Sequence, residues 1–201
     1  MIQATGVILA GGKSKRMGSD KAFLEVGEAA MIKQVASELR KVFNEVLIAG
    51  GTRENGEQLG LHVIPDRIPG RGPLSGIHAA LLEASNPKCL VTACDMPFVT
   101  AALAHFMINQ ADGYDVAVPT HGIHMQPLFA VYDRNCVNPI EQALLNNRRK
   151  VAAFYPQVRV NYVNEKYLRA IADIDLAFFN VNTPDDLEKA RAMAVRDETG
   201  A

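Results

Sequence analysis

The chain is expected to be α/β, with a mostly parallel central sheet covered by helices on both faces. Three observations lead there. Short apolar runs of strand length alternate with longer stretches whose apolar residues recur at helical spacing. The short runs, such as Val7-Ile8-Leu9 and Leu90-Val91, are continuous rather than alternating, as suits strands buried on both faces. Hydrophobic residues make up 48% of the 201 residues, enough to fill a core without staples.

Taken in order, Thr5–Ala10 reads as a buried strand. Met31, Ile32, Val35, Ala36, Leu39, Val42 and Phe43 fall on one helical face. Glu45–Ala49 and Leu61–Ile64 are short strands. Leu74–Ala84 is a helix that starts after Gly72-Pro73. Lys88–Ala93 is an apolar strand ending at Cys94-Asp95. Thr100–Gln110 is a helix with Thr100 as its N-cap. Asp115–Pro119 and Pro127–Asp133 are strands, followed by a helix over Arg134–Asn146. Val158–Val163 and Ala177–Asn180 are late strands. Thr183-Pro184-Asp185-Asp186 opens a last helix, with a capping hydroxyl, proline in the first turn and acids at the positive end of the dipole. With no internal repeat and no low-complexity linker, residues 1–201 are expected to form one domain.

The net charge of -1 offers no global basic field, so nucleic acid is not an expected partner. Cys89, Cys94 and Cys136 have no CxxC spacing and read as buried reduced thiols rather than zinc ligands. The start lacks a basic segment followed by a long apolar one, and no apolar run approaches the roughly 20 residues that span a bilayer. A soluble, cytoplasmic protein without a membrane partner is the expectation.

In such sheets ligands bind beyond the carboxyl ends of the strands, so the loops there are where chemistry is sought. Leu9-Ala10-Gly11-Gly12 ends the first strand and runs into Lys13, Lys15, Arg16 and Lys21. Glycines admit a ligand close to the main chain, and the cations suit a polyphosphate. Neither of two better-known phosphate loops fits: a P-loop would need glycine where Val7 stands, and Gly70, Gly72 and Gly76 are misspaced for G-x-G-x-x-G. Arg16 and Lys21 are the favoured cations, Lys13 and Lys15 weaker ones. Asp95, just after an apolar strand, is placed for Mg²⁺, which takes one or two carboxylates plus phosphate oxygens. Asp66 is a candidate for the nucleotide or the metal, or a turn acid. Gly72–Gly76 enters a helix and either wraps a base or sugar or simply starts that helix. His121, His124 and Gln126 are three polar heads that either line an acceptor pocket or, as the default reading, form a solvated loop; a metal triad is not expected, because no acidic partner sits nearby. Asn180 and Asn182 offer two amides to a polar acceptor. No nucleophile constellation appears: Ser14, Ser19 and Ser75 lack a G-x-S-x-G setting, and Cys94 has no basic residue beside it.

Leu9-Ala10-Gly11-Gly12, Arg16-Met17-Gly18, Asp20-Lys21, Pro65-Asp66, Gly72–Gly76, Cys94–Pro97, Gln126-Pro127-Leu128 and Asn180–Pro184 occur in an order and spacing that resembles the molybdenum cofactor guanylyltransferase family of nucleotidyltransferases, over nearly the whole chain. The resemblance implies a Rossmann-like three-layer nucleotidyltransferase domain. The N-terminal half would hold GTP with Mg²⁺ and the C-terminal half Mo-molybdopterin. Transfer of GMP would yield the guanine dinucleotide cofactor and pyrophosphate. It implies nucleotide contacts from Leu9, Ala10, Gly11, Gly12, Lys21, Asp66, Gly76 and Asp95, and catalysis by Arg16, Lys21 and Asp95. Mg²⁺ would sit on Asp95 and the pterin on Asn180 and Asn182. Further partners implied are other cofactor-biosynthesis proteins and molybdoenzyme chaperones, the chain itself being a monomer or weak homo-oligomer. In one place the chain departs: Ala49-Gly50-Gly51 stands where the family often has a nucleotide-contacting Asn, so any contact there must come from backbone. Rivals are the sister cytidylyltransferases, which resemble L-A-A-G at the loop, the sugar-phosphate nucleotidyltransferases, and a non-catalytic GTP-binding module.

Overall fold

The computed structural model describes residues 2–11 and 21–199, with the main chain alone for Lys21 and residues 196–199. The elements in order are β1 (Thr5–Leu9), β2 (Glu25–Val26), β3 (Ala29–Ala30), α1 (Met31–Arg40), β4 (Glu45–Ala49), α2 (Arg53–Leu59), β5 (His62–Ile64), α3 (Pro73–Glu83), β6 (Lys88–Ala93), α4 (Ala101–Asn109), β7 (Val116–His121), β8 (His124–Met125), β9 (Phe129–Asp133), α5 (Val137–Leu145), β10 (Val160–Asn164), α6 (Glu165–Arg169), α7 (Ile174–Ala177) and α8 (Pro184–Thr199). Among the described residues eight strands form the main sheet, in the order β10-β7-β9-β6-β1-β4-β5 with β8 beside β7. β1 pairs in parallel with β4 and β6, β4 with β5, and β10 with β7. β9 alone runs against both its neighbours, β6 and β7, because the chain turns straight back through β8 without a crossover helix.

The pleat divides the strand residues between two cores. Val7, Leu9, Leu47, Ala49 and Val91 face α3, α5 and the 3₁₀ segment that carries Phe154. Ile8, Ile48, Leu90 and Phe129 face α1, α4, α6 and α7. These inner strands are buried on both sides, which is why their sequences read as unbroken apolar runs. Glycine at position 6 is required by close packing: a Cβ there would sit 2.9 Å from Phe43 Cδ2. A third, smaller core packs α8, through Leu187, Ala190 and Ala194, against Val26 and Met31.

Two of the caps read from sequence are in place. The Thr100 hydroxyl accepts from Leu103 N at 3.3 Å, and Thr183 Oγ1 accepts from Asp186 N at 3.1 Å. Asp186 Oδ2 answers by accepting from Asn182 N and Thr183 N, a reciprocal box at the start of α8. The expected strand over Ala177–Asn180 does not form. Asp173 caps a helical turn instead, accepting from Asp175 N and Leu176 N, and Phe178 is held by its ring against Phe129, with centroids 5.6 Å apart. α2 was not foreseen, since Arg53–Leu59 has no apolar stripe. Its signals are at its ends, where Thr52 accepts from Asn55 N and Gly60 closes the helix in the left-handed region. The helix expected from Arg134 begins as a 3₁₀ turn and becomes α-helical at Val137.

Candidate functional site

From β1 the chain moves outward through β4 to β5, then returns to β6 on the other side of β1. The reversal makes the carboxyl ends of β1 and β6 the switch point, where open α/β sheets take their ligands. Register aligns the edge: Leu9 lies beside both Ala49 and Ala93, and Ala49 beside Ile64. Hydrogen bonds continue past the strands, from Ala10 N to Ala49 O at 3.0 Å and from Cys94 N to Leu9 O at 3.1 Å. Ala10, Gly11, Gly50, Pro65, Cys94 and Asp95 therefore all emerge at one end of the sheet.

Leu9 is buried, Ala10 half-buried and Gly11 exposed, so the main chain surfaces at the tip of this strand. Gly12 and Arg16 lie outside the described residues. Lys21 opens a 3₁₀ turn, Lys21–Phe23, whose main chain alone is described at that residue. Asp95 sits half-buried in the turn after β6. Its carbonyl accepts from Val181 N at 3.0 Å, which brings the Asn180–Asn182 segment onto the same turn. Val181 was not singled out from sequence, because a main-chain tether leaves no trace in residue type.

Asn180 is half-buried and its amide donates to the Phe178 carbonyl at 2.8 Å. Asn182 is exposed, at the cap of α8. Asp66 is half-buried after β5, and burial pushes its carboxyl up. Three strand spacings, roughly 14 Å, separate the ends of β5 and β6. Asp66 and Asp95 thus mark two ends of a site rather than the two arms of one ion cage, and among the described residues no cluster of three metal-ligating side chains occurs. The carboxylate and neighbouring carbonyl oxygens at Asp95 are hard donors of the type Mg²⁺ takes together with phosphate oxygens.

Gly76 faces into the protein. A Cβ there would lie 2.9 Å from Leu9 Cδ2 and 3.4 Å from Ala49 Cβ, so this glycine lets α3 close on the strands that carry the edge. It shapes the site from behind instead of presenting a surface to it. The start of α3 is fixed by Gly72, in the left-handed region, and by Ser75, whose hydroxyl donates to Ile68 O at 2.6 Å.

The expectation that His121 has no acidic neighbour fails in three dimensions. Its Nε2 lies 3.2 Å from Glu165 Oε2 and 3.5 Å from Asp175 Oδ1, residues more than forty positions on. Arg169 grips Asp175 with both terminal nitrogens, at 2.8 and 3.1 Å. This is an exposed polar network, with Arg169–Asp175 as an ion pair within it, that joins the end of β7 to α6 and α7, and sequence distance hid it. His124 is exposed, and Gln126 N donates to Pro119 O at 2.9 Å to close the loop through β8. Cys89 and Cys136 are buried free thiols. No helix among the described residues is long and apolar enough to cross a membrane.

Residues 6–160 match the family model described as the MobA-like NTP transferase domain. The chain is 63% identical over 200 residues to a probable molybdenum cofactor guanylyltransferase of Pelotomaculum thermopropionicum, covering 100% of this chain and 98% of that one. It is 37% identical over 196 residues to a molybdenum cofactor guanylyltransferase of Desulfosudis oleivorans, covering 96% of each. Among solved structures, molybdopterin-guanine dinucleotide biosynthesis protein A from Archaeoglobus fulgidus superposes with a TM-score of 0.83 at 28% identity, over 96% of this chain and 99% of that one.

Proposed function

The chain belongs to the MobA-like NTP transferase family, and we propose that it is itself a molybdenum cofactor guanylyltransferase. A terminal phosphate oxygen of Mo-molybdopterin attacks the α-phosphorus of GTP. The bond from that phosphorus to the bridging oxygen breaks, and pyrophosphate leaves with the electron pair. The product is the guanine dinucleotide form of the cofactor.

One observation carries the reading. The turn holding Asp95 is hydrogen-bonded to β1 through Cys94 N and to the Asn180–Asn182 segment through its own carbonyl. The proposed nucleotide side and the proposed acceptor side are thus both tied, through main chain, to the turn that carries Asp95. Leu9, Ala10 and Gly11 take the nucleotide along their main chain. Arg16 and Lys21 neutralise the phosphates. Asp66, at the far end of the edge, holds the nucleoside. Asp95 holds Mg²⁺, which would offset charge on the transferring phosphate. Asn180 and Asn182 face the pterin. Nothing covalent is asked of the protein, so positioning and electrostatics supply the catalysis. A single domain, cytoplasmic, monomeric or weakly self-associating, that passes its product to molybdoenzyme chaperones completes the proposal.

The test is pyrophosphate release with Mg²⁺ and Mo-molybdopterin, run in parallel with GTP, CTP, ATP and UTP. Release with GTP alone, and only with the pterin, is expected. Release with CTP instead would assign the chain to cytidylyl transfer, and silence with every donor would refute the acceptor.

A further inference from the structure

Gly50 contacts the tip of β1 and the strand leading to Asp66 at once. Its φ is +78°, and a Cβ built on it would lie 2.8 Å from Gly11 Cα and 2.9 Å from Gly11 N. Both are main-chain atoms of the glycine loop, so neither can swing aside as a side chain would. The converse contact is loose: a Cβ on Gly11 would meet Gly50 Cα at an ordinary 3.7 Å. The close approach therefore depends on Gly50. On its other side the Gly50 amide donates to the Ile64 carbonyl at 2.9 Å, two residues before Asp66. Gly51 follows with a φ of +79°, and its Cβ would come tightest on side-chain atoms, Ala10 Cβ and Asn55 Nδ2, at 3.3 Å each, with the Ala10 carbonyl oxygen at an ordinary 3.8 Å.

We propose that Gly50 is a positioning residue for the nucleotide. Lacking a Cβ, it lets the end of β4 lie against Gly11, and its amide ties that contact to the strand leading to Asp66. The two ends of the nucleotide site then share one rigid edge. This rests on the functional reading above, in which Leu9–Gly11 and Asp66 hold GTP. The turn acts by shape, through the main chain it presses on.

The experiment compares G50A with G113A. Gly113 has nearly the same φ, +76°, but nothing lies within 4 Å of its would-be Cβ, so it carries the backbone strain without the contact. Both variants should lose thermal stability through backbone strain, G50A more than G113A because its Cβ also meets main-chain atoms of Gly11. Only G50A should weaken Mg-GTP binding, by about tenfold or more in calorimetry, with the turnover loss in the KM for GTP and not in that for Mo-molybdopterin. A G50A dissociation constant within about twofold of that of G113A would overturn the inference. Should G50A not fold, hydrogen exchange on the unaltered protein decides. GTP must slow exchange in peptides spanning both Ala49–Gly51 and Ile64–Asp66, and unchanged exchange there with GTP bound overturns it. Parallel titrations of the unaltered protein with GTP and CTP separate the two levels. Binding of neither overturns the functional reading and this inference together, whereas binding with an indifferent G50A overturns this inference alone.

Discussion

Replacing Asp115 with asparagine tests how the ends of β7, β9 and β10 are held together. Asp115 is buried, immediately before β7, and its carboxylate accepts from four donors. Oδ2 takes Arg159 N at 2.9 Å and Arg159 Nε at 3.2 Å. Oδ1 takes an Arg159 terminal nitrogen and Asn135 Nδ2, both at 3.2 Å. The Arg159 side-chain hydrogen bonds, followed by its main-chain N–H, hold the carboxyl at about 2, against an ordinary value of 3.8. At about 1.4 kcal/mol per pH unit this favours folding by at most about 2.4 kcal/mol. The guanidinium side chain is 67% exposed, so solvent screening reduces the gain to about 1–2 kcal/mol. Asp115→Asn should therefore cost about 2 kcal/mol at pH 7, including an amide NH₂ turned toward donors, and lower Tm by about 4–8 °C. The sign with pH is fixed by the depressed value. The stabilisation is complete above the unfolded carboxyl's pKa and is lost as pH falls toward the folded one, about half of it by pH 3. Urea titrations of both proteins at pH 7, 5 and 3 read this directly. A penalty for the variant that is the same at pH 3 as at pH 7 would refute the ionic account and leave only packing.

Asp95→Ala should reduce pyrophosphate release by about a thousandfold or more while GTP binding stays measurable by calorimetry; normal release would dismiss the metal assignment. Lys21→Ala should raise the KM for GTP by about tenfold or more and slow transfer, whereas unchanged steady-state kinetics would make Lys21 a solvated residue. Tyr132→Phe removes a hydroxyl that donates to Pro127 O at 2.7 Å and lies 3.1 Å from the Tyr155 hydroxyl, in a fully buried position. It should cost about 1–3 kcal/mol in chemical denaturation, because two buried polar groups lose their partner.

How much of this was legible in the chain depended on whether the physics was local. β1, β4 and β6 were readable because a strand buried on both faces must be apolar at every position, and Thr5–Leu9 is buried throughout. The caps of α4 and α8 were readable because a hydroxyl three residues before the amide it accepts from is a local device. The positions of Asp66 and Asp95 after strands followed from the same pattern. What stayed hidden was set by contacts between distant segments. Ala177–Asn180 looked like a strand because a short apolar run has no period, and only the Phe129 ring decides that it packs without one. His121 looked unaccompanied until the chain folded Glu165 and Asp175 beside it. Gly76 looked like part of a ligand-wrapping loop because its sequence context is a helix start, whereas its neighbours are Leu9 and Ala49.

The hydrogen bond from Val181 N to Asp95 O has a consequence in time as well as in space. The family match ends at residue 160, yet the turn proposed to carry the metal is braced by a residue some twenty positions beyond it. During synthesis the strands that present the glycine loop and Asp95 leave the ribosome well before Val181 does. On the proposed function, a nascent chain can therefore assemble these strands, and with them the proposed place for the nucleotide, while the proposed acceptor segment is still missing. On that reading competence for transfer, as distinct from competence to bind, arrives only once Val181 is in place.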